Sequence, residues 1–293
     1  MDNPNISPTD NVRFLVTPGL RIVMAFLAWI VGSILLVFVT FILGRVLDNN
    51  YLAYLRISTV FQDILMWIVP ALVTAMVITR QPARFLAIDR LPSFRHVVLG
   101  ILLLIVSAPF MSWIIRLNAD IHFPENMVGL EQTLRTLEEN AENTVKMMFE
   151  NRTPASLVIN ILIIGIFAGF SEELFFRGTL QRVFASSNLS VHAAIWITAF
   201  IFSVLHLQFF GFFPRMLLGA AFGYMLYWSG SVWLPMLIHT LNNSIYVILY
   251  YSTGSGEPEI ASADSWVTIA ISIILTAAVV ASFSKFNLKN KNI

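Results

Sequence analysis

The sequence predicts an all-α polytopic membrane protein, about eight transmembrane helices in one bundle, and three observations carry that expectation. Of its 293 residues, 57% are hydrophobic and 12% are charged, against roughly 25% charged in a soluble domain. The apolar residues fall in blocks of about 18–25, the length that takes a helix across a hydrocarbon layer of roughly 30 Å. These runs do not alternate apolar and polar residues as the strands of an outer-membrane barrel do. Nor could one soluble core hide so much apolar surface.

In chain order the predicted spans lie near 22–44, 60–79, 97–115, 155–177, 191–209, 212–229, 231–251 and 265–284. The start of the chain is polar and proline-broken, with Asp2 and Asp10 ahead of the first basic residue. That pattern is unlike a secretory signal, so the first apolar block reads as a retained span. Pro70, Pro109 and Pro235 sit inside spans and predict kinks, each freeing a carbonyl that a neighbouring helix or water must satisfy. Ser229, Gly230 and Ser231 leave room only for a tight hairpin between the sixth and seventh spans. Segment 116–154 is the substantial stretch outside the membrane. Its Leu130, Leu134, Leu137, Val145, Met148 and Phe149 recur at helical spacing among acidic residues, predicting an amphipathic surface helix that acts as a strut or lid. The chain, 1–293, reads as a single membrane domain in which 155–251 holds the chemistry.

Lys and Arg number 18 against 17 Asp and Glu, a formal net charge of +1, so there is no case for nucleic-acid binding. The absence of cysteine removes disulfides, thiolate metal sites and cysteine nucleophiles. Arg13, Arg21, Arg80, Arg84, Arg90, Arg95, Arg182, Lys285, Lys289 and Lys291 share the side of both termini. The opposite side has Arg45, Arg56, Arg215 and the acid-rich 116–154, and 252–264 has no Lys or Arg. Positively charged flanks stay inside, so both termini are expected in the cytoplasm.

Ionisable groups at mid-bilayer are expensive and are functional candidates by default. Such groups are expected in the fourth, fifth and seventh spans only. The fourth ends in Ser171-Glu172-Glu173-Leu-Phe-Phe-Arg177, where Glu173 and Arg177 have the i,i+4 spacing of a helical ion pair. Glu172 is rotated about 100° away and free to face something else. Gly165 and Gly169 lie near the same face and invite close approach of another helix. The fifth span carries Phe202 and His206. Glu172 and His206 lie about 15 and 17 residues from the turn at 185–190, so both should sit roughly 22–26 Å down antiparallel helices. The seventh carries His239 and Asn243, again i,i+4, and Gly219 and Gly223 on the sixth offer a second close-packing face.

A carboxylate and a histidine able to hold and deprotonate water, opposite donors able to stabilise an oxyanion, are the minimum for hydrolysing an acyl or peptide bond. Glu172, His206 and His239 also match a catalytic zinc ligand set in type, so a divalent metal stays open. Two other readings remain. A proton-coupled transporter would use buried Glu and His as a relay, but should show polar residues in both halves of the bundle or inverted repeats. A non-catalytic immunity or partner-binding membrane protein would keep the same residues without turnover.

At these positions the sequence resembles the CPBP family of intramembrane endopeptidases, which includes the type II CAAX prenyl endopeptidases and bacterial relatives linked to bacteriocin processing and immunity. The signature Glu-Glu-x-x-x-Arg reads here as Glu172, Glu173 and Arg177; Phe-x-x-x-His as Phe202 and His206; His-x-x-x-Asn as His239 and Asn243. The resemblance implies an eight-helix protease of the bacterial cell (inner) membrane whose site opens within the bilayer toward the cytoplasm. It implies that Glu172 activates water with His206 beside it, that His239 and Asn243 stabilise the oxyanion, and that Glu173 and Arg177 support the site. The implied partners are a membrane-associated protein or peptide substrate and the bilayer.

Overall fold

The computed structural model describes residues 12–187, 189–254 and 265–291, with side chains to 285. Asp2, Asp10, most of the 252–264 loop, and the side chains of Lys289 and Lys291 lie outside that range. The described chain is helical, apart from a single isolated antiparallel bridge between Phe14 and Thr79. The principal helices are α1 (Pro18–Val46), α2 (Tyr51–Ile78), α3 (Phe94–Ala119), α4 (Val128–Phe149), α5 (Pro154–Ala185), α6 (Val191–Val204), α7 (Phe212–Ser229), α8 (Trp233–Thr253) and α9 (Trp266–Lys291).

Six of the eight predicted spans are long and apolar enough to cross a bilayer: α1, α2, α3, α5, α7 with its leading turn, and α9. The other two fall short for different reasons. α6 has 14 residues, about 21 Å at 1.5 Å per residue. α8 is long enough at 21 residues but carries His239, Asn242 and Asn243 along its inner length. Lipid-facing surface is plain on α1, where Ile34, Val37, Phe38 and Phe41 are all exposed.

The three prolines behave differently. In α3, Pro109 opens the helical ladder, and Ser272 of α9 fills the gap: its hydroxyl accepts from the Phe110 N–H at 3.2 Å and donates to the Val106 carbonyl at 2.6 Å. A neighbouring helix thus supplies the missing partner, as expected in lipid. In α2, Pro70 follows a wide π turn, Asp63–Ile68. α1 crosses there so closely that a side chain at Gly32 would run into the Leu65 carbonyl oxygen. Pro235 does not sit in a span interior. It falls in the first turn of α8, where N–H groups lack partners in any case, so no kink is required.

Two segments outside the spans frame the bundle. Between α2 and α3, Phe85, Leu86 and Ala87 are buried, with the Ala87 carbonyl accepting from the Val232 N–H at 3.1 Å and the Ile88 carbonyl from Trp233 Nε1 at 3.0 Å. On the opposite end α4 forms over most of the predicted amphipathic stretch. Its half-buried face is mixed: Glu131, Arg135 and Glu138 at one end, Val145 and Met148 at the other. Leu130 and Leu137 point away from the protein. Glu138 Oε2 accepts from the Phe210 N–H at 2.9 Å, and the Arg135 guanidinium lies 4.1 Å from the Phe210 ring centre. These contacts tie α4 to the turn that comes after His206.

Candidate active site

The site is built on α5, and α5 is not a regular helix. Two wide π turns, Ile161–Phe167 and Phe176–Leu180, flank the α-helical stretch Ala168–Phe175. Such turns insert an extra residue and rotate the side chains beyond it to a new direction, and they recur at functional sites. Between them Gly169 lets α8 come so near that a Cβ there would lie 2.9 Å from Thr240 N and Oγ1. At Gly165 a Cβ would lie 2.5 Å from Ser244 Oγ. The small-residue face predicted on this helix is the one that seats α8.

That contact brings the two acids against His239. Glu173 is fully buried and its Oε1 serves two partners, Arg177 Nη1 at 2.8 Å and His239 Nδ1 at 2.9 Å. The predicted ion pair is therefore also a clamp between α5 and α8. Arg177 donates from Nη2 to the Gly219 carbonyl at 2.9 Å, drawing in α7. The rings of Phe176, Phe202 and Phe222 surround its guanidinium at 5.8, 4.6 and 5.4 Å. Within this cage, Glu173 Oε2 and Arg177 Nε have no hydrogen-bond partner among the described residues. Gly219 admits the arrangement, since a Cβ would meet Arg177 Nη2 at 3.1 Å.

Glu172 faces the other nitrogen of the same imidazole. Its Oε2 lies 3.9 Å from His239 Nε2, and its side chain keeps 15% exposure where Glu173 has none. The separation is too long for a direct hydrogen bond and is one that a bridging water spans. His239 is held flat against the Phe222 ring, centres 4.8 Å apart at 23°. With Nδ1 committed to a carboxylate, its Nε2 is the atom turned toward Glu172.

His206 sits just past the end of α6. Its Nδ1 is 2.7 Å from the Phe202 carbonyl; a carbonyl can only accept, so Nδ1 carries the proton and the neutral ring has its lone pair on Nε2. Phe202 lies between the two histidines, 4.8 Å from the His206 ring and 6.2 Å from the His239 ring. Asn243 is partly engaged. Its Nδ2 donates to the Ile164 carbonyl in the π turn at 3.2 Å, and its Oδ1 accepts from Asn242 at 3.3 Å.

The sequence confined ionisable groups to three spans, and two residues correct that. Asp63, in α2, is buried; its Oδ1 accepts from the Ser171 hydroxyl at 3.0 Å, one residue before Glu172, while Oδ2 lacks a partner among the described residues. Its position three residues into the second predicted span was the available signal. Arg215, in the first turn of α7, reaches Gln208 Oε1 at 2.6 Å. For a metal, the test is whether the three named ligands gather. Among the described residues no three His, Asp or Glu side chains form a metal-ligand group, Glu172, His206 and His239 included.

Residues 154–245 match the family described as Type II CAAX prenyl endopeptidase Rce1-like. The match runs from α5 into α8, and so takes in all six predicted site residues. It bears out the resemblance drawn from the motifs and supports an intramembrane endopeptidase in general terms. The chain is also 24% identical over 105 residues to the uncharacterized protein YpbD of Bacillus subtilis (strain 168), an alignment covering 34% of this chain and 49% of that protein. The chain thus spans about half the length of that curated relative. No solved structure matches it.

Proposed function

We propose that the protein is an intramembrane endopeptidase that hydrolyses a peptide bond of a membrane-associated protein or peptide. The observation that carries this reading is the 3.9 Å gap between Glu172 Oε2 and His239 Nε2, where a half-buried carboxylate meets the buried Glu173–His239 pair. A water bridging those atoms loses a proton to Glu172 as its oxygen attacks the scissile carbonyl. The negative charge that develops on the carbonyl oxygen falls to the second N–H of Asn243 Nδ2 and to His239, which donates from Nε2 when both ring nitrogens carry protons, its Nδ1–H being committed to Glu173. Collapse of the tetrahedral intermediate breaks the C–N bond, and Glu172 returns the proton to the departing amine. His206, with its Nε2 lone pair available, orients the water from the α6 side. Glu173 and Arg177 touch no substrate in this scheme; they hold His239 in place.

The substrate class is set by the surroundings, a site between helices in a protein with abundant lipid-facing surface. The CAAX prenyl substrates in the family description belong to the family. The substrate of this chain is a membrane-associated polypeptide, and the protein lies in a bacterial cell membrane with both termini in the cytoplasm.

Membranes from cells carrying the wild type, Glu172→Gln or His206→Ala, at matched protein levels, are compared for new polypeptide termini by mass spectrometry. Loss of a general base removes about 10²–10⁴-fold of rate, so a set of termini should vanish in the Glu172 variant and shrink in the His206 variant. An unchanged set of termini, with both variants folded, would overturn hydrolysis.

A further inference from the structure

Away from the carboxylate–imidazole cluster, α2 and the first half of α5 enclose an open groove of about 440 Å³. Ile57 and Val60 form one wall and Ile159 and Ile163 the other, with Arg56 at the end nearer Asn50. Arg56 is fixed in place: Nε donates to Asn160 Oδ1 at 3.2 Å, and Nη2 to the Met148 carbonyl and the Ser156 hydroxyl. Each of these acceptors is neutral, and no carboxylate pairs with the guanidinium among the described residues. The groove therefore presents an uncompensated positive charge above an apolar trough.

Its depth is marked by aromatic residues. Tyr51 and Tyr54 stack at the start of α2, ring centres 5.8 Å apart, and tyrosines gather at the headgroup level of a bilayer. Arg56 lies two residues past Tyr54 and ahead of the apolar run that begins near residue 60, so it sits where headgroup phosphates do. A free anion would satisfy the charge and leave the trough bare; an acyl chain alone would do the reverse. We propose that this groove binds an anionic phospholipid, its phosphate on Arg56 and one acyl chain along Ile57, Val60, Ile159 and Ile163. Because Arg56 also holds Ser156 and Asn160, the bound lipid braces the beginning of α5, the helix that carries both acids of the cluster.

The test uses purified full-length protein and needs no hydrolysis assay, so its outcome is independent of the protease reading. Native mass spectrometry from mixed micelles compares retention of phosphatidylglycerol and phosphatidylcholine, with soluble glycerol phosphate as a competitor. The wild type should retain phosphatidylglycerol roughly tenfold better, the scale of a charge-assisted contact. Arg56→Gln should lose that preference. Val60→Trp fills the trough while keeping the charge of Arg56 and should lose phosphatidylglycerol at an unchanged oligomeric state and melting temperature. Equal retention of the two lipids, wild-type retention in Val60→Trp, or displacement by glycerol phosphate would each overturn the proposal.

Discussion

Glu172 and Glu173 are adjacent in sequence and opposite in circumstance. Glu173 is sealed from solvent against Arg177 and His239. Removing it strands a guanidinium inside a cage of rings, and breaking a buried pair costs about 3–5 kcal/mol. Glu173→Ala should therefore lower unfolding stability in detergent by that order, while Glu172→Gln, whose ion-pair distance to His239 is 3.9 Å, should stay within about 1 kcal/mol. Equal losses in denaturant titrations would contradict this division of roles. Glu131, at the start of α4, offers a pH test outside the membrane. The Phe123 N–H, then Arg135 and His122, pull its carboxyl down from an ordinary 4.5 to about 2. A lowered value means that the ionised form is favoured in the fold. The clamp of α4 on residues 121–123 is thus at full strength above about pH 4.5 and is lost as pH falls toward about 2. Pepsin cutting within 116–131 should rise across that window in the wild type, and Glu131→Gln should abolish the dependence.

Among the elements, α5 decides the site. Its glycines were read as a face for close packing, and α8 occupies that face. Gly169→Val would push directly on the Thr240 backbone; overpacking of this kind costs about 1–3 kcal/mol, and the Glu172–His239 approach should be lost with it. Gly129, in exposed α4, is the control. A Cβ there meets nothing within 4 Å, so Gly129→Ala should raise the stability of α4 by about 0.5–1 kcal/mol. Thermal unfolding of the two variants should move in opposite directions. The π turns on either side of Ala168–Phe175 were not legible, because apolar periodicity does not distinguish a wide turn from a regular one when every neighbour is apolar. One consequence is that Asn243 meets the Ile164 carbonyl. In α3, by contrast, Pro109 announced that a partner was needed, and only the packing of α9 named it as Ser272.

For the molecule as a whole, orientation is the property most directly open to test. The charge count puts both ends on one side, so a reporter fused after Lys291 should score cytoplasmic and one inserted near Glu142 in α4 should score external. The reverse pattern would mean that the basic flanks do not set the topology. The arrangement inside the bundle bears on this. α6 is too short to cross, its end bears His206, and α4 is fastened to the next turn through Phe210. At the opposite end of the bundle the buried Phe85–Ala87 segment and Ile88 are tied to the start of α8 through Val232 and Trp233.

By itself the sequence determined that this is a helical membrane protein, and it singled out six polar side chains of the bundle interior. Twenty apolar residues in a row have few other stable states, and charged groups in such surroundings declare themselves. Only the tertiary structure decided that Glu173 holds His239, that Glu172 is left facing the other imidazole nitrogen, and that Asp63 joins through Ser171. Rotation about a helix axis, and the wide turns that alter it, are set by what packs alongside, and that information resides in distant parts of the chain.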